Sequence, residues 1–527
     1  MAQIILQNDV KAFVSHDTTV EDKSSTGGEL GIKPKVHFSL LGAIGVQYSV
    51  TSAPIAIGAY MSLAIGLGGS PAYFWGFFMV GLFQLLVCLA TAELASAIPH
   101  CSGMLIKHHN TKLQNYRTDH TLEKGPAYWA IALADRRYAR SLGYIMGWLT
   151  NAGWFFVSSA CTLYPAQLTM GLVQAAYPDF TAKSWQTYLI YVCFALLYLF
   201  FNLPLIFRSV NLLLRIVVVA VNGTAIYLMI ALLVRTQHKQ TAHFVFAEFT
   251  NESGWASDGL VFFLALLPAV GCLSAFDNAT HLTDELENPQ KQVPQVIIGS
   301  FLMSYLTTIP MIVVYQFCNI EPESLLAAPG NQPFIQLMQN AFRSFAMTAL
   351  GTSMIIFCFF IAGTAALISW SRLYWSFSAQ GALPFSITMS KLSSRDALPI
   401  NALCWNTVLI CAIGAISIGS TTAMNALLGA ANLCLLSAFA IVFGLMLYRG
   451  RKVLDPERWF NLGRWGDLIV WASLIWVIFI SVMFCFPLYL PVTAEVMNWT
   501  SLVFAGVLIL AGAYWLCVYS RRGIVGE

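Results

Sequence analysis

Residues 266–294 read LLPAVGCLSAFDNATHLTDELENPQKQVP. The first half is apolar enough to lie in a bilayer. Pro268, Gly271 and Ser274 interrupt it, and Asp277 and His281 stand one helical turn apart. An acidic run, an Asn-Pro and a second Pro follow. An interrupted apolar segment with a carboxylate near membrane depth marks a functional site. The stretch divides in three: Leu266–Ala275 is a half-helix and its break, Phe276–His281 a substrate-facing segment, and Thr283–Pro294 an exit on the inner side.

The surrounding chain supports an integral membrane protein. Of 527 residues, 57% are hydrophobic and 10% charged, and the mean hydropathy is +0.68; soluble domains carry about 25% charged residues. Of the twelve Cys, all but Cys101 sit in or at the ends of apolar segments, and no CxxC occurs. They read as packing residues and not as a disulfide framework. The polar N-terminus, residues 1–36, lacks the basic-then-apolar order of a signal peptide and reads as a disordered tail.

A crossing helix needs about 20 apolar residues, and twelve stretches qualify: roughly 39–65, 72–98, 141–174, 185–206, 210–234, 259–282, 295–318, 341–377, 400–419, 424–448, 466–489 and 498–519. With both termini inside, only Lys183, Arg235, Lys239 and Arg343 of the 28 Lys+Arg fall outside, as the positive-inside rule requires. Asn251-Glu-Ser and Asn498-Trp-Thr then lie outside as glycosylation candidates.

The first and sixth spans hold corresponding places in two sets of five, and both are interrupted. The first reads GAIGVQYSVTSAPIAIGAY, with Gly42, Gly45, a Gln47-Tyr48-Ser49 patch and Pro54. Interrupted spans at matching places in two halves point to an inverted-repeat transporter with its site at the repeat interface.

Four stretches resemble the amino acid–polyamine–organocation superfamily, in particular its fungal amino acid/choline/GABA permease branch. They are FDNATHLTDELENPQKQVPQVI (276–297), AELASAIP (92–99), RRYARSLGYIMGWLTNAGW (136–154) and SRLYWSFSAQGALP (371–384). The resemblance covers about residues 37–520. It implies an all-α membrane protein with twelve transmembrane helices, a 5+5 inverted-repeat core plus two C-terminal helices. It also implies secondary active transport of a small nitrogenous solute by alternating access. Two departures stand out. Residues 104–125 are a polar insert that breaks the family spacing; it reads either as a retained intron in the gene model or as a tolerated inside loop. Ala379-Gln380 stands where relatives often have a charged pair.

A helix broken inside the bilayer exposes N–H groups that attract a carboxylate and C=O groups that attract cations. The substrate-binding candidates are therefore Ser49, Val50, Thr51 and Ser52 at the first break. At the second they are Leu273, Ser274, Ala275, Phe276 and Asp277. In relatives that bind α-amino acids the first break is often Gly-rich; VTSAP here is bulkier. Tyr48, Trp154, Phe155 and Phe276 are aromatic candidates for enclosing an ammonium group, Phe276 first because it sits in the break. Trp148 and Asn151 share a helix face with Trp154. Asp277, His281 and Glu93 are the proton-coupling candidates. Two alternatives stand beside that role: Asp277 as N-cap of the second half-helix, and Glu93 as partner of an inside Arg. Asp284, Glu285 and Glu287 read as a solvated loop or an inner gate.

The expected partners are a small-molecule substrate, a coupling ion (H+) and the lipid bilayer. No cofactor, metal or nucleic acid is implied. No HxxxH or HExxH occurs, which speaks against a membrane enzyme. The expected function is a proton symporter importing an amino acid, choline, GABA or a related amine at the plasma membrane. An exporter, or a sensor with the permease fold, are the alternatives.

Overall fold

The computed structural model describes residues 39–61, 66–98, 126–204, 206–393, 398–493 and 497–521. The expected tail 1–36, the insert 104–125 and all of the C-terminal tail 521–527 but Arg521 lie outside the described residues. Among those described, the architecture is helical, and the single extended pairing is a bridge between Leu67 and Asn251. Long apolar runs can satisfy their backbone groups in lipid only within a helix or a closed barrel.

The chain starts with α1 (Leu40–Val50) and α2 (Ala53–Ala59), two halves of one broken span. Next come α3 (Gly69–Ala97), the short α4 (Pro126–Leu133), α5 (Arg136–Ala176), α6 (Ser184–Asn202) and α7 (Phe207–Arg235). A second broken region follows: α8 (Asp258–Leu264), α9 (Leu267–Cys272) and a 3-10 segment, Asn278–Glu285. The rest is α10 (Pro289–Phe317), α11 (Pro333–Phe342), α12 (Phe345–Ala379), α13 (Ile400–Gly414), α14 (Thr421–Arg449), α15 (Gly466–Met483) and α16 (Thr500–Cys517). The eighth apolar stretch, expected to begin near residue 341, starts at Phe345. Arg343 adopts a left-handed φ of 49° and ends α11 separately.

Ten helices among the described residues are long and apolar enough to cross a membrane, and Asp258–Cys272 is a shorter apolar helix. Helix α5, not among the ten, has 41 residues and so a length of about 60 Å. It buries polar Asn151, Ser158, Ser159 and Thr162 against its neighbours. It is the central strut, with α12, α14 and α6 packed along it, while α10 lies along α3. Helices α15 and α16 turn Leu468, Trp471, Ile475, Leu502, Ile509, Leu510 and Leu516 outward, the apolar belt of a lipid-facing surface.

Close contacts decide several positions. A Cβ on Gly45 would stand 1.8 Å from the Leu214 carbonyl oxygen of α7, so α1 and α7 touch backbone to backbone there. Gly45 therefore serves helix packing and does not interrupt α1, contrary to the expectation from sequence.

Opposite ends of the bundle differ in charge. At the C-terminal end of α3, Glu93 meets Arg451 and Arg458. At the N-terminal end of the same helix, 29 residues or about 43 Å away, Glu248, Glu252, Glu321 and Glu323 surround a cavity.

Candidate functional site

Pro54 explains the first break. In a continuous helix its missing N–H would leave the Val50 carbonyl without a donor. The chain opens at Thr51 (φ −94°, ψ 22°) and Ser52, and Pro54 takes a place in the first turn of α2, where no N–H is required. Hydroxyls at the break bond back onto the preceding turn. Ser49 Oγ donates to Val46 O (2.9 Å), Thr51 Oγ1 to Gln47 O (3.0 Å), which also accepts the Thr51 N–H, and Ser52 Oγ to Ser49 O (2.9 Å). From α10, Ser304 Oγ donates to Thr51 O (2.7 Å).

The second break falls later than the prolines and glycines suggest. Pro268 sits in the first turn of α9 and Gly271 inside it, so neither opens the helix. The chain leaves the helix at Leu273. It then turns through Ala275 in the left-handed region, φ 59°, a conformation costly for a residue with a Cβ. Ser274 Oγ donates back to Val270 O. The backbone N–H groups of residues 274–277 find no acceptor among the described residues. A run of free amides beside a left-handed residue is a concavity suited to an anion or a hydroxyl oxygen.

One side chain joins the two breaks. Gln47, fully buried, donates Nε2 to Ala275 O (2.9 Å), and its Oε1 accepts from Ala279 N (2.9 Å). Asn278 Nδ2 donates in return to Val46 O (3.2 Å). These contacts span more than 220 positions of sequence. The role of Gln47 has no local signal beyond a polar residue in an apolar span.

Three of the candidates meet in one cluster. Trp154 Nε1 donates to Asp277 Oδ2 at 3.3 Å, and His281 Nε2 lies 3.3 Å from the same oxygen. The His281 ring meets Trp154 edge-on at 5.4 Å. All three side chains are sealed from solvent. The His281 contact is misaligned for a hydrogen bond, and Asp277 Oδ1 has no partner. Asp277 occupies the N-cap position of the 3-10 segment, but its side chain makes no capping bond, so the capping alternative is not realised.

A cavity of about 50 Å³ lies between the breaks. Of the candidates, Val50, Ser52, Ser274 and Ala275 line it; Ser49, Thr51, Leu273, Phe276, Asp277 and Trp154 do not. The expected aromatic wall is corrected. Phe276 stacks on Phe439 (5.3 Å), Tyr48 donates its hydroxyl to Asn222 Oδ1 (3.0 Å), and Phe155 stacks on Trp370 (5.1 Å). Trp148 donates to Ala382 O, and Asn151 to Gly147 O. The aromatics that do line the cavity are Tyr60, Tyr164 and Phe359. Tyr60 meets Tyr164 edge-on at 5.0 Å, and Tyr164 stacks on Phe359 at 5.7 Å. No charged side chain lines this cavity. Its volume is well below the roughly 300–1,000 Å³ of ligand pockets.

The acidic run past His281 is not uniformly solvated. Glu285 and Arg372 form a buried ion pair at 2.8 Å, with side chains 4% and 3% exposed, linking the second break to α12. Glu287 is exposed, and the Asp284 side chain lies outside the description. Glu93 is fully buried at the far end of α3. It accepts from Arg451 Nη2 (2.6 Å) and Nε (3.0 Å), from Arg458 Nη2 (2.9 Å) and Nε (3.1 Å), and from Leu462 N (3.1 Å). That carboxylate ties the loop after α14 beneath the bundle, and it does not line the cavity between the breaks. Burial alone would lower the Arg451 pKa, but the Glu93 carboxylate outweighs it and holds the guanidinium above its ordinary value.

Both sequons are structurally engaged. Asn251 Nδ2 donates to Trp255 O and Asp258 Oδ1; Asn498 Nδ2 donates to Phe484 O and Phe486 O. Glycosylation at either site would require those turns to open.

The amino acid permease family model matches residues 38–509. A choline transporter of Saccharomyces cerevisiae is 28% identical over 508 residues, covering 94% of this chain and 84% of that one. An amino-acid permease of Arabidopsis thaliana is 26% identical over 504 residues, 93% of each chain. A swainsonine transporter of Arthroderma benhamiae is 26% identical over 501 residues, 93% and 92%. The paired helix breaks, the apolar spans and this match along nearly the whole chain give one conclusion: the chain is a multi-pass membrane protein of the amino acid permease family, in the fungal branch of the amino acid–polyamine–organocation superfamily.

Proposed function

We propose that the protein is a secondary active transporter that imports a small nitrogenous solute (an amino acid, choline, GABA or a related amine) together with H+. The observation that carries this reading is the pair of helix breaks, joined through Gln47, with a closed cavity between them and the unpartnered Asp277 carboxylate oxygen behind. The free amides of residues 274–277 suit a carboxylate or hydroxyl of the solute. The faces of Tyr60, Tyr164 and Phe359 suit its ammonium group. Asp277, in contact with His281, takes the coupling proton.

Adding α5 and the broken α8–α9 pair to the ten apolar helices makes twelve crossings. The first ten form a 5+5 inverted repeat and the last two an appendage. Both termini then face the cytoplasm, residues 1–36 and 521–527 are tails, and residues 37–520 are the permease domain at the plasma membrane. The insert 104–125 falls on the inner side.

The test is uptake of labelled choline, GABA and a panel of amino acids in a transport-deficient yeast at two pH values. Uptake of at least one solute, faster at the lower pH, is expected. No uptake of any of them, with surface expression verified, overturns the proposal.

A further inference from the structure

A second cavity, of about 620 Å³, opens at the N-terminal end of α3, separate from the one between the breaks. The two are close in the chain: Met61 lines the outer cavity and its neighbour Tyr60 the inner one. The larger cavity is built from three regions distant in sequence. These are Ser70 and Tyr73 of α3, the segment after α7 with Glu248 and Glu252, and the segment after α10 with Glu321 and Glu323.

Its electrostatics are one-sided. Glu248 has a neighbour in His243 at 3.9 Å, but Glu252, Glu321 and Glu323 have no cationic partner among the described residues, and no Lys or Arg lines the cavity. The wall supplies a second feature. Asn319, nine-tenths buried, forms part of the wall; its Oδ1 is sealed from solvent and unpartnered, and Gln316 beside it accepts from Ser70. A concave, low-dielectric wall bearing one sign of charge focuses its field and concentrates counter-ions.

The carboxylates also identify what collects there. Among the described residues no three His, Cys, Asp or Glu side chains come close enough to share a metal ion. A compact divalent ion therefore finds no chelating set, whereas the volume and the dispersed charge suit a small organic cation. The basic residues at the opposite end of α3 place this cavity on the outer side by the positive-inside rule.

We infer that the acidic cavity is a loading vestibule that binds small monovalent organic ammonium ions before they reach the site between the helix breaks. The assignment rests on the transport reading only for the onward step, since binding in the vestibule is a separate property.

The test uses the triple variant Glu252→Gln, Glu321→Gln, Glu323→Gln. All three side chains are exposed, so the substitutions leave the fold intact. Equilibrium dialysis of labelled choline against the purified protein at low ionic strength is expected to show binding that weakens at least threefold in the variant. Added salt should weaken wild-type binding to the same level and leave the variant unchanged. In cells, the KM for a cationic solute should rise by a similar factor at constant Vmax, while that for a zwitterion stays fixed. Choline binding that is absent, or equal in wild type and variant, overturns the inference. So does an equal rise in KM for zwitterions, which would mark a structural effect. Choline binding that depends on the carboxylates, with no uptake of any solute, would overturn the transport reading and leave the vestibule standing. Uptake with no such dependence would do the reverse.

Discussion

Replacing Gln47 by Leu tests whether the two breaks act as one unit. Leucine is close to glutamine in size and shape, so packing is preserved while two hydrogen bonds disappear. The Ala275 carbonyl loses a donor at 2.9 Å and keeps only the Asn278 N–H at 3.4 Å. The Ala279 N–H loses its side-chain acceptor, also at 2.9 Å. Both groups are buried, and leaving a buried polar group unsatisfied costs about 1–3 kcal/mol. The partial compensation at Ala275 puts the pair at about 2–4 kcal/mol. At 1.4 kcal/mol per decade this is roughly a thirty- to several-hundredfold shift away from the joined state. The expected result is a lower melting temperature for the purified protein, and uptake altered in rate beyond any loss of surface expression. Gln47→Glu should lie between, since it keeps an acceptor for Ala279 N–H but turns an oxygen toward Ala275 O. A Gln47→Leu protein that melts and transports like the wild type would refute the idea that this side chain couples the breaks.

Asp277→Asn keeps the shape of the buried side chain and removes its charge. It should impair uptake and flatten its pH dependence while leaving folding and trafficking intact, and near-normal uptake would remove Asp277 from the mechanism. Glu93→Ala strands the Arg451 and Arg458 guanidinium groups at a buried position. A destabilisation on the order of 3 kcal/mol is expected, read as a lower melting temperature that Glu93→Ala combined with Arg451→Ala partly restores. Gly45→Ala drives a methyl group to 1.8 Å from the Leu214 carbonyl oxygen and should abolish folded protein. Gly223→Ala meets nothing within 4 Å and should be neutral or stabilising by about 0.5–1 kcal/mol. Detergent-extracted yield and melting temperature compare the two.

Lipid leaves a spanning segment few options, so apolar length located the ten long apolar helices, and Pro54 located the first break, because a missing N–H acts within one turn of its own residue. Proline and glycine were less informative at the second break. Pro268 is harmless at the start of a helix, and the actual turn is at Ala275, which carries no compositional mark. Local sequence paired Asp277 with His281 and brought out Trp154 separately, and only the packing of α5 against the second break brings Trp154 to the same carboxylate oxygen.

Side-chain contacts between distant segments belong to the tertiary structure for a simple reason. A residue's chemistry fixes what it can bond, but not what lies across from it once the helices pack. Phe276 had the right type and place to face a solute, yet it stacks on Phe439. Glu285 looked like part of a solvated acidic run, yet Arg372 of α12 draws it into a buried ion pair. Glu252 and Glu321, far apart in the chain, share a cavity that no local pattern announces. Hydropathy and a missing proline donor act locally, so a membrane-embedded helical chain with two interrupted spans is legible residue by residue. Packing decided which residues close the gap between those spans, because that depends on helices that meet across more than 200 residues of chain.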